Sequence, residues 1–194
     1  GFVVAYPQPV PWQLDVARAR ELMALADGCA RVAVVGGDAQ PIIRIVGDTG
    51  VELAQLHGDE PPQVVEAVAG TGVRVVKALR TEVGRPVGDP EDWIAAARTF
   101  IDAGAAEILL DSRSADRPAG TGEVFNWDVA RAVVDALDVP VVLAGGLTPG
   151  NVAEAIATVR PAGVDVISGV SARGDRKHAG LMRAFVAAAR DCPA

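Results

Sequence analysis

Two stretches near the C terminus carry residues suited to holding an anion. In VVLAGGLTPGNV, Val141–Val152, a β-branched run stops at Gly145-Gly146, and VDVISGV, Val164–Val170, stops at Ser168-Gly169. Glycine at a strand end lets backbone N–H groups approach an anion closely. A helix opening behind it, here expected at Thr148-Pro149, adds a dipole and free donors. Gly145, Gly146, Ser168 and Gly169 are therefore the expected phosphate-binding set. Asp111 closes the apolar run ILLD, which should carry its carboxylate to a site mouth. A carboxyl with apolar neighbours suits general-acid work, and the alternative is an Asp capping the next loop. His57 follows the run Ala54–Leu56 and is either a ligand-facing imidazole or a structural, hydrogen-bonded ring. Asp165 alternates with apolar neighbours. It faces the ligand, or it pairs with Lys77, since a lone buried charge is costly. Gly120-Thr121-Gly122 follows Asp111 and forms a loop that could close over a substrate.

The elements that must position these residues alternate strictly. Apolar runs at Phe2–Ala5, Arg31–Val35, Ala54–Leu56, Val73–Ala78, Glu107–Leu110, Val141–Ala144 and Val164–Ile167 read as strands. Helical spacing falls at Leu14–Leu25, Pro41–Val46, Gln63–Ala69, Glu91–Ala103, Trp127–Leu137, Pro149–Val159 and Lys177–Arg190. Continuous apolar strands are covered on both faces, so the pattern predicts a parallel α/β sheet with right-handed crossovers. The last two loops of a (β/α)8 TIM barrel hold phosphate with paired strand-end glycines of this kind. Only seven strand–helix units are visible, and the gaps between them are filled, so an eighth is expected ahead of Gly1. The strand at Phe2 would then be a sheet edge.

Length and charge bound the reading further. The 194 residues are expected to form a single barrel domain, 1–194. A net charge of −7 argues against nucleic acid and against an anionic membrane surface. A phosphorylated small-molecule substrate must then be met by local donors. No apolar run reaches membrane-spanning length. Cys29 and Cys192 stand far apart with no metal-ligand spacing, so two free thiols in a reducing cytoplasm are expected, with no metal.

Four motifs in order carry a resemblance. QLHGDE (Gln55–Glu60), ILLDS with GTG and FNW (Ile108–Ser112, Gly120–Gly122, Phe125–Trp127), LAGGLTPGNV (Leu143–Val152) and VDVISGV (Val164–Val170) together resemble phosphoribosylanthranilate isomerase of tryptophan biosynthesis. The resemblance runs from Gly1 to about Phe185. It implies a (β/α)8 barrel that performs an Amadori rearrangement of N-(5-phosphoribosyl)anthranilate without cofactor, as a monomer or homodimer. It makes Asp111 the acid that protonates the ring oxygen and places His57 beside the anthranilate. The family's base, a cysteine in a K-[IV]-C-G motif, has no counterpart at Cys29 or Cys192. Its anthranilate-binding arginine has none in YPQPVPWQL, Tyr6–Leu14, and Arg18 and Arg20 lie in the helix beyond. Ile167 and Ser171 stand where the family has Ser and Glu. Two explanations follow: the missing first β/α unit, or a diverged barrel that binds a sugar phosphate without chemistry. Indole-glycerol-phosphate synthase and thiamine-phosphate synthase are disfavoured by QLHG and GTG…W.

Overall fold

The computed structural model describes residues 1–6, 10–81, 87–112, 125–172 and 176–191. Seven strands form one sheet in sequential order: β1 Phe2–Ala5, β2 Val32–Val35, β3 Leu53–Leu56, β4 Arg74–Arg80, β5 Ala105–Asp111, β6 Val141–Leu143 and β7 Gly163–Val164. Helices α1 Val16–Ala24, α2 Ala39–Thr49, α3 Pro62–Ala69, α4 Pro90–Asp102, α5 Trp127–Ala136, α6 Val152–Val159 and α7 Ala179–Arg190 alternate with them. Parallel register runs Ala33↔Ala54 between β2 and β3, Ala54↔Val75 between β3 and β4, and Leu143↔Val164 between β6 and β7. Sequential parallel strands joined through helices are the wall of a TIM barrel.

The chain divides into two compact units, Gly1–Ala78 with Ala97–Ile108, and Leu79–Ala96 with Leu109–Ala194. In the first, β3 is buried at all four positions, as a strand covered on both faces must be. Val35, Ala54, Leu56, Val65 and Val75 have no exposed surface, and α2 turns Ile42 and Val46 inward. Its end is set by Gly50, whose φ of 63° closes the helix in the left-handed region. In the second unit Leu110, Val133, Leu143, Val152 and Ala155 are fully buried. There α5 starts where Asn126 accepts from the N–H groups of Asp128 and Val129.

All seven anticipated strands and helices occur, with three local corrections. First, β5 runs through Asp111, so the carboxylate belongs to the strand's last residue. Second, α6 begins at Val152 and not at Thr148-Pro149. Thr148 O accepts instead from the N–H groups of Asn151 and Val152, which makes Thr148–Gly150 a turn. Third, β7 is two residues long, and Asp165 lies just beyond it. The reason is Ile167, whose ψ of −70° bends the chain into a single 3-10 turn at Ser168–Val170.

Candidate active site

The second unit gathers most of the expected residues around one pocket. It is lined by Asp111, Ala144–Leu147 and Asp165–Ser168. Asp111 arrives at the end of Leu109-Leu110, two side chains at most 1% exposed. Its carbonyl accepts from Thr81 N–H at 3.1 Å, which fixes the strand end. Asp111, Gly145, Gly146, Asp165 and Ser168 therefore share a pocket.

The loop Gly145–Asn151 is shaped by residues that only partly announced themselves. Gly145 and Gly146 have φ of 81° and 63°, a left-handed pair that side chains resist. A Cβ on Gly145 would stand 2.4 Å from Ser112 Oγ and 2.7 Å from Ser112 N. Among the described residues the N–H groups of Gly145 and Gly146 have no hydrogen-bond partner. Asn151 occupies the N-cap position of α6 but turns back. Its Oδ1 accepts from Thr148 N–H at 2.7 Å, and its Nδ2 donates to Gly146 O at 3.1 Å. The sequence reading missed this role; the signal was an Asn directly ahead of an apolar helix. Gly169 does not line the pocket. A Cβ there would fall 1.9 Å from Leu147 O, so its smallness lets the 3-10 turn lie on the preceding loop. Lys177 Nζ donates to Ile167 O and to Ser171 Oγ, tying down the segment after β7.

The first unit holds His57. It is 2% exposed, its N–H donates to Val35 O at 2.8 Å, and its ring lies 5.6 Å from that of Tyr6. Gln55 Nε2 stands 2.8 Å from His57 Nδ1, a side-chain hydrogen bond at the buried end of β3. Lys77, fully buried, pairs with Glu60 at 2.7 Å, and both side chains are at most 2% exposed. The sequence reading offered Asp165 as a partner for Lys77 and did not anticipate Glu60.

Other expected residues fall elsewhere. Gly120, Gly122 and Cys192 lie outside the described residues. Cys29 is exposed and precedes β2, at the strand's N-terminal side. Arg18 forms an exposed i,i+3 pair with Glu21 on α1. Nearby, Arg31 holds the partly exposed carboxyl of Glu52 at about 2, chiefly by side-chain hydrogen bonding. Among the described residues no cluster of His, Cys, Asp or Glu could hold a metal, and no helix is long and apolar enough to cross a membrane.

Comparison with known proteins points to one family. The family model for N-(5'phosphoribosyl)anthranilate (PRA) isomerase matches residues 16–188. The isomerase of Haloferax volcanii is 41% identical over 192 residues, covering 98% of this chain and 82% of its own. A crystal structure of the enzyme from Thermus thermophilus superposes with a TM-score of 0.78 at 32% identity, over 100% of this chain and 88% of that one. A second isomerase, crystallised with reduced 1-(o-carboxyphenylamino)-1-deoxyribulose 5-phosphate, gives 0.76 at 29% identity, over 98% and 86%. With 173 residues under the family model and relatives near 40% identity along nearly all its length, the chain belongs to the N-(5'-phosphoribosyl)anthranilate isomerase family.

Proposed function

We propose that this chain isomerises N-(5-phosphoribosyl)anthranilate to 1-(2-carboxyphenylamino)-1-deoxyribulose 5-phosphate. One observation carries the reading: the Asp111 carboxylate and the strand-end loops at Gly145-Gly146 and Ser168 line the same pocket. The phosphate sits on the N–H groups of Gly145 and Gly146 with help from Ser168, in the manner of oriented backbone donors. Asp165 lines the same pocket and contacts the sugar. Asp111 protonates the ribose ring oxygen, and C1–O cleavage yields the Schiff base. Removal of the C2 proton gives an enolamine, which takes a proton at C1 and becomes the aminoketose. Carbon and electron counts close within the substrate, so no external oxidant enters. By resemblance to the family, His57 contacts the anthranilate end of the substrate.

The assay follows substrate fluorescence, which falls as the product forms. Turnover by the wild-type chain that Asp111→Asn abolishes is the expected result. A second reading, a barrel that binds a sugar phosphate without chemistry, is favoured by one observation: Cys29 stands away from any strand's C-terminal end. Tight product binding with no fluorescence change would establish that reading and refute the first.

A further inference from the structure

We infer that the buried Lys77–Glu60 pair is a positioning device for His57. The inference rests on the proposed substrate contact of that imidazole. Lys77 Nζ donates to Gly58 O at 2.7 Å and to Leu56 O at 3.4 Å, so it holds the backbone on both sides of His57. Glu60 Oε2 accepts from Gly58 N–H at 3.1 Å as well as from Lys77. Both backbone polar groups of the residue after His57 are thus bonded to the pair. Glu60 Oε1 reaches Gly37 N–H at 3.1 Å, which ties the loop after β2 to the same node. Phe100 supplies the ammonium with an aromatic face 5.4 Å away.

The bonding pattern separates positioning from plain core stability. A buried ion pair is often replaceable by apolar side chains of similar volume without loss of stability. An apolar pair cannot bond three backbone groups at the end of β3. Removing the pair should therefore leave the core filled and let the Leu56–Glu60 segment shift. A misplacement of about 1 Å near a reacting group can cost ~100-fold in rate.

The test replaces both partners, Lys77→Met with Glu60→Leu, in the full chain. Fluorescence turnover, KM and kcat are measured in the wild-type and His57→Ala backgrounds, with ¹⁵N NMR of the His57 ring. The expected result is a cooperative melt, a kcat/KM lowered about 10- to 100-fold, and shifted His57 ring signals. In the His57→Ala background the same replacement should cost almost nothing further, since the pair acts through that ring. Undiminished kcat/KM with unmoved ring signals, or an equal loss in both backgrounds, overturns the inference. If the double variant does not fold, Glu60→Gln is put through the same cycle under the same criteria. If the wild-type chain shows no turnover, the functional reading fails, and the ring spectrum alone decides whether the pair positions His57.

Discussion

Gly145→Ala is the sharpest perturbation of the phosphate loop, because two costs can be separated. An alanine forced to the φ of 81° seen at Gly145 pays roughly 1–2 kcal/mol for its left-handed backbone. Its Cβ would also stand 2.4 Å from Ser112 Oγ and 2.7 Å from Ser112 N, closer than any Cβ sits to a neighbour. Relieving such overpacking costs about 1–3 kcal/mol more. Gly28 is the matched control: its φ is 72°, and a Cβ there meets nothing within 4 Å. Each kcal/mol moves the melting temperature of a domain this size by roughly 2–4 °C. Gly28→Ala should thus lower it by ~2–8 °C and Gly145→Ala by ~4–20 °C. Differential scanning calorimetry reads the gap. Titration calorimetry with the reaction product reads whether the loop has moved; a tenfold loss of affinity, about 1.4 kcal/mol, is expected for Gly145→Ala only. Equal melting of the two variants, with undiminished product affinity, would refute the close-approach argument.

Other consequences are open to direct measurement. Asp111→Asn keeps shape and removes the acid, so turnover should fall ~10²–10⁴-fold while product affinity changes little; unchanged turnover returns Asp111 to loop capping. Asn151→Ala removes one bond to Thr148 N–H and one to Gly146 O. It should cost about 1–3 kcal/mol in chemical denaturation and weaken phosphate binding; intact phosphate affinity would show that the Gly146 loop holds itself. Glu52 titrates at about 2 when folded, below its ordinary unfolded value of roughly 4.3. Its pairing with Arg31 thus stabilises above that unfolded value and is lost as pH falls toward 2. Arg31→Ala should melt slightly below wild type at pH 7, and the gap should close between pH ~4 and ~2; a gap that does not vary with pH contradicts the sign.

Much of this molecule could be read from order along the chain. Continuous runs such as VAVV and ILLD need no partner to be recognised, and their ends mark where a parallel sheet presents its loops. Asp111, Gly145, Gly146 and Ser168 stand at or just past the ends of such runs, and all four line one pocket. What escaped depends on register and on the third dimension. Glu60 meets Lys77 only because β3 and β4 align Leu56 with Lys77, which sets the ammonium beside the carbonyls of Leu56 and Gly58. Gly169 read as a phosphate ligand, yet its tightest constraint is the Leu147 carbonyl. Asp165 read as a strand residue because VDVI alternates, but the bend at Ile167 ends β7 first. Strand alternation is a local signal; where a short strand stops is decided by what the next turn must touch.

The pocket's charge pattern then makes chemical sense. Among the described residues, those lining it include two carboxylates, Asp111 and Asp165, and neither lysine nor arginine. The chain as a whole carries −7. Several cations are committed elsewhere: Lys77 to Glu60, Arg31 to Glu52, Arg74 to Glu107 and Arg131 to Asp135. A lysine in the cradle would bind phosphate, but it would also favour the ionised form of a neighbouring carboxyl, which is the wrong state for an acid. Neutral N–H donors on left-handed glycines would hold an anion without adding a positive charge to the pocket. For a phosphorylated ligand the same logic calls for a loop of left-handed glycines such as Gly145 and Gly146, braced by Asn151: where net charge cannot attract an anion, geometry has to.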